Sequence, residues 1–209
     1  MPTLRDRSAQ SNQKTIDYDH VVPNHHSCPI CGSSNTSMRW KGSTDSWRSD
    51  SSQAFHCTTT TRVRPPILVC GQCRHQFSDP DTWPSDIAAE YTNLQDDDYV
   101  ELFDVKRRTF KRAANVLDSY VLPHSRILEV GSYAGLFLAE CKNRGHDVRG
   151  IEPSRWGVEI ARSQELHVDE GAAEDLLFQS ELGDFDAVVS WDVLEHVYDP
   201  QHFLRGLSE

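Results

Sequence analysis

Residues 126–138, with the sequence RILEVGSYAGLFL, decide the fold of this 209-residue chain. The segment opens with an apolar run typical of a short buried strand, and Gly131 and Gly135 follow it at a turn. The apolar residues after Gly135 predict a helix that ends near Asn143. A helix that starts at such a turn presents unpaired N–H groups and the positive end of its dipole, which together suit a carboxylate or a phosphate.

Further strands and helices alternate downstream of this segment. Apolar runs predict strands at 147–152, 167–170 and 185–191, with a helix over 154–166 and another that begins at Pro200. Strands that alternate with helices form βαβ units and a parallel sheet, so the fold class is α/β. No internal repeat is found.

A helical pattern also precedes the central segment. Apolar residues recur near a 3.6-residue period from Tyr99 to Tyr120, which predicts one helix. Asp98, followed three residues later by Glu101, predicts its N-terminal cap, and Pro123 ends the pattern. Residues 1–20 are polar and without periodicity, which is typical of a disordered tail.

Two C-x-x-C pairs suggest a metal site in the N-terminal third of the chain. The pairs Cys28/Cys31 and Cys70/Cys73 are separated by 38 residues that include a Ser/Thr-rich stretch. Two residues between thiolates let both sulfurs face one ion, and two such pairs complete the tetrahedral S₄ site that Zn²⁺ accepts. We therefore predict a structural zinc in a ribbon-like module with an inserted loop.

Other interpretations of these residues stay open. The four cysteines could be buried thiols or a redox pair, and nearby side chains could replace one ligand: His25, His26, His56, Cys57 and His75. Cys141 lies in an apolar helical context and is predicted to be a small core residue.

Composition and charge limit the classes of partner. The chain is 37% hydrophobic and 25% charged, with a net charge of −11. Residues 1–80 carry nine Lys/Arg and six Asp/Glu, a net +3, whereas residues 81–209 carry twelve and twenty-six, a net −14. The acidic main body does not attract a phosphate backbone, so nucleic acid is not the expected partner. No apolar run reaches the length of a membrane span and the N-terminus has no signal-like segment, so we expect a cytoplasmic protein that does not contact membrane.

An acidic residue follows the glycine turn at a distance typical of nucleotide-type sites. Glu152 ends the second predicted strand, 21 residues beyond Gly131, where a carboxylate suits two ribose hydroxyls. The dinucleotide pattern G-x-G-x-x-G is not met, because Tyr133 stands at its second glycine and Glu129 precedes the turn. An NAD-dependent reductase is therefore the weaker hypothesis.

The pattern E-x-G-x-x-x-G at 129–135, with Glu152 in Gly-Ile-Glu-Pro-Ser, resembles the class I S-adenosylmethionine-dependent methyltransferases. The stretches GAAEDL at 171–176 and FDAVVSWDVLEHV at 185–197 fit later motifs of that family in the same order. The resemblance covers about residues 95–209, and the Cys-pair module looks like the zinc-binding extension ahead of some bacterial methyltransferases. It implies a Rossmann-like methyltransferase sheet preceded by a small zinc-ribbon domain, with S-adenosylmethionine as cofactor.

The resemblance assigns cofactor contacts to these residues: Glu129, Gly131, Ser132, Gly135, Glu152, Ala173, Glu174, Trp191 and Asp192. The glycine turn would wrap the methionine end of the cofactor, Glu129 would orient its ammonium group, and Glu152 would hold the ribose. Residues after the third strand would lie along the adenine, and those leaving the fourth strand would form a wall near the methionine. Two positions depart from the family pattern: Tyr133 replaces a common glycine, and Ala172 replaces an adenine-binding aspartate.

Glu195 and His196 form the candidate catalytic pair. Histidine titrates near neutral pH and could accept a proton from an acceptor hydroxyl or amine, which makes His196 the candidate base. Alternatively, both residues only stabilise the turn after the fourth strand. Methyl transfer from a sulfonium needs little covalent help, so positioning and exclusion of water could carry much of the rate.

The sequence predicts four segments along the chain. These are a tail at 1–20, a zinc-ribbon-like module at 21–80, a linker and N-terminal helix at 81–125, and the cofactor-binding domain at 126–209. The family's sheet has seven strands and four are predicted here, so we expect a C-terminally truncated fragment without much of the acceptor pocket. Whether the fragment itself is active, and its oligomeric state, are left open.

The leading hypothesis is a methyltransferase that acts on a small molecule, a sugar or another metabolite. One alternative is an RNA methyltransferase whose ribbon docks nucleic acid through mixed cations and aromatics: Arg39, Trp40, Lys41, Trp47 and Arg48. Another is a non-enzymatic zinc-ribbon interaction protein.

Overall fold

The computed structural model describes residues 27–42, 65–83, 87–92, 95–173 and 184–208. The predicted tail and the Ser/Thr-rich insertion at 43–64 lie outside the described residues. Within the described ranges, none of the helices combines the length and apolar character needed to cross a bilayer.

A small antiparallel sheet carries the two cysteine pairs. Its strands, in spatial order, are β1 (Thr36–Trp40), β2 (Ile67–Cys70) and β3 (Gln76–Ser78). The central strand β2 places Cys70 opposite Thr36 and Leu68 opposite Phe77. Leu68 and Cys70 are both buried and lie on the same face of β2. Cys70, the first residue of the second cysteine pair, is therefore the last inward-facing residue of this strand.

Three helices lead from this module to the main sheet: α1 (Ile87–Thr92), α2 (Asp97–Glu101) and α3 (Phe103–Leu117). The predicted single helix from Tyr99 to Tyr120 is therefore wrong in two respects, because the chain bends at Leu102 and helix α3 ends at Leu117. The bend buries Tyr99, whose ring meets that of Phe103 edge to face at 5.7 Å. The predicted cap is also wrong: Asp98 lies inside the first turn of α2.

A four-stranded parallel sheet forms the main body, in the spatial order β6-β5-β4-β7. Its strands are β4 (Arg126–Val130), β5 (Asp147–Glu152), β6 (His167–Glu170) and β7 (Ala187–Ser190). The crossover helices are α4 (Leu136–Asn143) and α5 (Arg155–Ser163), and α6 (Pro200–Ser208) follows β7. The predicted α/β class is confirmed. The first three strands have the predicted ends, whereas β7 is shorter than the predicted 185–191.

The order of the strands fixes where a ligand can bind. The chain moves from β4 to β5 and β6 on one side, and then crosses to β7 on the other side of β4. Open α/β sheets bind ligands at the carboxyl ends of the strands where this reversal occurs. Register places Val130 beside both Ile151 and Ser190, so the residues that follow these three strands lie at one edge.

Side chains of β4 alternate between the two layers that cover the sheet. Ile127 packs with helices α3 and α4, in a cluster that includes Phe137 and Cys141. Leu128 and Val130 pack on the other face with Phe203 of α6. Because side chains alternate along a strand, Glu129 shares its face with Ile127. Cys141 is fully buried in this core, as predicted.

Candidate functional site

The glycine turn after β4 is held tightly against the neighbouring strand. The backbone N–H groups of Gly131 and Ser132 both donate to the carbonyl oxygen of Ile151, at 2.9 and 3.1 Å. Gly131 has φ +77°, and a Cβ there would lie 2.2 Å from a methyl carbon of Val193. A side chain at this position would therefore be both strained and obstructed, so glycine is required for this path of the backbone.

Tyr133 occupies the turn with an unusual backbone conformation. Its φ of +44° is left-handed, which is rare for a bulky residue. Its ring packs between Tyr99 and Trp156, with centroid distances of 4.7 and 5.4 Å. The aromatic contacts and the bond from its N–H to Glu152 together hold this conformation.

Glu152 is buried at the end of β5, and only 3% of the residue is exposed. Its two carboxylate oxygens accept hydrogen bonds from the backbone N–H groups of Tyr133, at 2.7 Å, and of Ser154, at 2.8 Å. Burial raises the pKa of Glu152 to about 7, although both N–H donors act to lower it. Each oxygen has a further lone pair, so the carboxylate can still accept from a ligand hydroxyl.

Glu129 is a second buried carboxyl group at this edge. Burial, and after it the Glu152 carboxylate, raise the pKa of Glu129 well above the ordinary value of 4.5, against a hydrogen bond to the backbone of Leu138. Its Oε2 atom finds no hydrogen-bond partner within the described part of the chain. A buried carboxyl group whose ionisation is opposed by burial and by a second carboxylate favours a cationic ligand nearby.

The residues that leave β7 complete the edge. Trp191 packs on Phe137 with a centroid distance of 5.4 Å, and Asp192 is exposed with a left-handed φ of +55°. Ala173 packs against the cluster of Leu128 on the α6 face. Glu174 lies outside the described residues.

The four predicted metal ligands come together on the small sheet. Their sulfur atoms all lie within 4.8 Å of one another, with Cys28 to Cys73 and Cys31 to Cys70 each at 3.5 Å. A tetrahedral site with Zn–S bonds of about 2.3 Å places its sulfurs about 3.8 Å apart. The geometry therefore fits Zn²⁺, whereas a disulfide would need about 2.05 Å.

Backbone donors and charge also favour a cation at the cysteine cluster. The N–H groups of Cys73 and Gln72 point at the sulfur of Cys70, and they lower its pKa to about 6. The Ser33 backbone acts to lower the pKa of Cys31, but burial and the neighbouring sulfurs outweigh it and raise that pKa to about 12. A metal cation among the sulfurs would stabilise the thiolate forms that bind it. His75 stacks on Phe77 and is not in the cluster.

Comparison with known proteins identifies the family of this chain. Residues 81–209 match the family model described as a methyltransferase domain. The chain belongs to this methyltransferase-domain family. The predicted family and the Rossmann-like methyltransferase fold are thereby confirmed.

Curated relatives align with only part of the chain. It is 38% identical over 80 residues to a protein from Alkalilimnicola ehrlichii named ubiquinone biosynthesis O-methyltransferase. This alignment covers 36% of this chain and 32% of that protein. A protein of the same name from Methylocella silvestris is 32% identical over 111 residues, or 50% of this chain and 43% of the relative. The chain thus spans about a third to two fifths of the length of these relatives.

Solved methyltransferase structures also resemble the chain. An S-adenosylmethionine-dependent methyltransferase from Thermotoga maritima has 27% identity and a TM-score of 0.42, and covers 53% of this chain and 50% of its own. Magnesium protoporphyrin IX methyltransferase from Synechocystis, solved with bound S-adenosylmethionine, has 19% identity and a TM-score of 0.43. The match covers 56% of this chain and 61% of that structure's chain.

Near the glycine turn, the methyltransferase domain contains buried polar side-chain atoms with which none of the described residues pairs. Three buried side-chain atoms near the carboxyl end of β4 find no hydrogen-bond partner among the described residues: Glu129 Oε2, Trp191 Nε1, and Ser132 Oγ, which lies against Gly150 of β5. Buried polar atoms are rarely left unpaired, so such a group at one edge points to a polar ligand. An ammonium group and a carboxylate would match these acceptors and donors.

His196 lies in the short turn after β7 and is half-buried. Its ring meets the edge of Tyr91 at 5.7 Å, and its backbone N–H donates to the carbonyl of Val193 at 2.8 Å. Burial lowers the pKa of His196 below 6.5, although Glu195 and Asp192 act in the opposite direction. A neutral imidazole near pH 7 is able to accept a proton.

Sequence analysis missed two functional features of this methyltransferase domain. It assigned Glu152 to the ribose alone, whereas the carboxylate also holds the backbone at Tyr133 and Ser154. It also missed Val193, whose methyl group lies against Gly131. The only signal for Val193 was its place two residues after Trp191 in a recognised motif.

Proposed function

We propose that this domain binds S-adenosylmethionine at the carboxyl edge of β4, β5 and β7 and takes part in methyl transfer to a hydroxyl oxygen of a small molecule. The observation that carries the proposal is the pair of buried carboxyl groups, Glu129 and Glu152, on either side of the glycine turn at the switch point of the sheet. The family match supports the cofactor. The names of the curated relatives support an oxygen acceptor on a small molecule.

Each carboxyl group has a distinct task in this proposal. Glu152 accepts from the ribose hydroxyls through its remaining lone pairs, while its N–H donors keep it fixed. Glu129 and Ser132 receive the charged amino-acid end of the cofactor. Gly131 lets the backbone approach closely, because a Cβ would meet Val193.

When bound, the cofactor supplies an electrophilic methyl group on a sulfonium. With the cofactor bound, His196 would accept the proton of the acceptor hydroxyl while that oxygen takes the methyl group and the electron pair of the broken C–S bond stays on sulfur. The lowered pKa of His196 keeps the imidazole neutral and ready to accept at pH 7. In-line positioning and exclusion of water supply the remaining acceleration.

We further propose that a Zn²⁺ ion, held by Cys28, Cys31, Cys70 and Cys73, stabilises the small sheet. Four protein ligands leave no position for a substrate, so the role of the metal is structural. A sugar acceptor stays a prediction.

The catalytic assignment is tested with the His196→Gln variant and methyl-labelled S-adenosylmethionine, with hydroxyl acceptors that include phenols and sugars. We expect kcat to fall about 100-fold or more while the affinity for S-adenosylhomocysteine is unchanged. His167→Gln is the matched control, because His167 is exposed on β6. An unchanged kcat in the His196 variant would refute the role as base, and a wild-type chain that fails to bind S-adenosylhomocysteine would refute the proposed function.

A further inference from the structure

The first cysteine pair touches the helix that follows β7. We propose that Gln201 couples metal binding at the cysteine cluster to cofactor binding at the glycine turn, and so acts as a positioning residue. This inference rests on the proposed zinc and cofactor sites. Its physical basis is a continuous set of contacts from the backbone between Cys28 and Cys31, through residues 193–201, to Gly131.

The contact at the metal side is made by backbone atoms inside the C-x-x-C loop. The side-chain amide of Gln201 donates to the carbonyl oxygens of Pro29, at 3.4 Å, and of Ile30. These carbonyls belong to the two residues between Cys28 and Cys31, so their position depends on how the two sulfurs are held. A metal ion that fixes the sulfurs therefore also fixes the acceptors of Gln201.

A cleft of about 200 Å³ accompanies this contact. The cysteine loop forms one wall and the start of α6 forms the other. Cys28 and Pro29 line the first wall, and Tyr198 and Gln201 line the second. The two walls are thus not packed continuously, and Gln201 is a discrete bridge between them.

At the cofactor side, the same segment presses on the glycine turn. A methyl carbon of Val193 occupies the space that a Cβ on Gly131 would fill. The N–H of His196 donates to the carbonyl of Val193 at 2.8 Å, and Val197 and Phe203 are buried on the sheet beside Val130. The segment that leads into α6 is therefore in contact with the glycine turn at Val193 and with the sheet at Val197 and Phe203.

Aromatic contacts hold the segment from the linker as well. Trp83 packs on Tyr198 at 5.0 Å, and Tyr91 packs on His196 at 5.7 Å. Both residues lie in the chain segment between β3 and the main sheet. The segment 193–201 is thus held by the ribbon and its linker on one side and by the glycine turn on the other.

Coupling of this kind is reciprocal, since whatever zinc does for cofactor affinity the cofactor must do for zinc affinity. We expect removal of zinc to weaken binding of S-adenosylhomocysteine about tenfold, within the usual range of such couplings. Loss of the Gln201 hydrogen bond should reduce this coupling about fivefold, because one neutral hydrogen bond contributes a free energy that corresponds to about that factor in affinity.

The test uses the full chain and measures two binding constants, without any activity assay. Calorimetry gives the affinity for S-adenosylhomocysteine with zinc bound and after chelation, and competition with a chromophoric chelator gives the zinc affinity with and without S-adenosylhomocysteine. Gln201→Leu removes the donor at similar size, and Gln201→Lys restores an N–H donor. Gln76→Ala on β3 is the control for the loss of an exposed amide from the ribbon module itself.

We expect a coupling of about tenfold in the wild type and in the Gln76 variant, and of about twofold in Gln201→Leu. The coupling in Gln201→Lys should be larger than in Gln201→Leu, because the lysine restores an N–H donor. Thermal unfolding with zinc confirms that every variant is folded. A wild-type coupling near one, or a full coupling in Gln201→Leu, would overturn the inference and leave the proposed function intact. Absence of S-adenosylhomocysteine binding in the wild type would overturn both. Absence of zinc binding would overturn this inference and the proposed zinc site, and would leave the proposed cofactor site intact.

Discussion

Replacement of Glu152 by glutamine removes a carboxyl group that the fold keeps out of water. With 3% of the residue exposed, burial raises the pKa of Glu152 to about 7 from the ordinary value of 4.5. Below pH 4.5 the carboxyl group is protonated in the folded and the unfolded chain alike, so it imposes no electrostatic penalty. As the pH rises toward 7, the unfolded chain ionises first, and the folded chain loses stability relative to it.

The size of this effect follows from the pKa difference. At about 1.36 kcal/mol per pKa unit, the full penalty is about 3 kcal/mol, and about 2.5 kcal/mol of it appears between pH 5 and pH 8. A glutamine cannot ionise, so the Glu152→Gln variant does not lose this folding stability as the pH rises. It does lose one acceptor for the N–H groups of Tyr133 and Ser154, which costs about 1–3 kcal/mol at every pH.

The assay is urea unfolding of the ligand-free chain at pH 5 and pH 8, with zinc present throughout. We expect Glu152→Gln to be less stable than the wild type at pH 5, and to gain about 2.5 kcal/mol relative to it at pH 8. Glu159→Gln, at an exposed position on α5, should show no such gain. If the difference between Glu152→Gln and wild type were the same at both pH values, the carboxyl group would be ionised normally and the account of its burial would be refuted.

Three further predictions concern the two candidate sites. Ribose hydroxyls favour the ionised form of Glu152, so calorimetry should show wild-type affinity for S-adenosylhomocysteine rising about tenfold from pH 6 to pH 8, and no such rise in Glu152→Gln. In urea unfolding, Gly131→Ala should lower the free energy of unfolding by about 2–4 kcal/mol. In a Val193→Ala background the same change should cost only about 1 kcal/mol, because the clash is absent and only the left-handed φ remains. Equal losses in both backgrounds would refute the packing argument. Metal analysis should find one zinc per wild-type chain and per Cys141→Ser chain, and none after gel filtration of Cys28→Ser; zinc retained by Cys28→Ser would exclude the four-sulfur site.

Much of the main sheet could be predicted from the sequence because its signals are local. The apolar run at 126–130 and the left-handed turn at Gly131 each depend on a few adjacent residues. The spacing of the two C-x-x-C pairs likewise predicted the cluster that the structure forms. Local patterns of this kind survive tertiary packing.

The features that escaped prediction depend on contacts between distant residues. The bend at Leu102 serves the packing of Tyr99 on Tyr133, and no periodicity within the helix reveals it. The contact of Gln201 with Ile30 joins residues 171 positions apart. Such contacts follow from the placement of whole elements, which the sequence pattern leaves undetermined.

Tyr133 has a consequence for anyone who wishes to isolate this domain. The residue that turns the cofactor loop also anchors helix α2 through its ring contact with Tyr99, and α3 continues from that anchor onto the sheet. A recombinant piece that starts at residue 126 would strip the loop of half its aromatic support. The smallest unit worth expressing therefore begins near residue 95, and grafts of this loop onto other scaffolds should carry residues 95–117 with them.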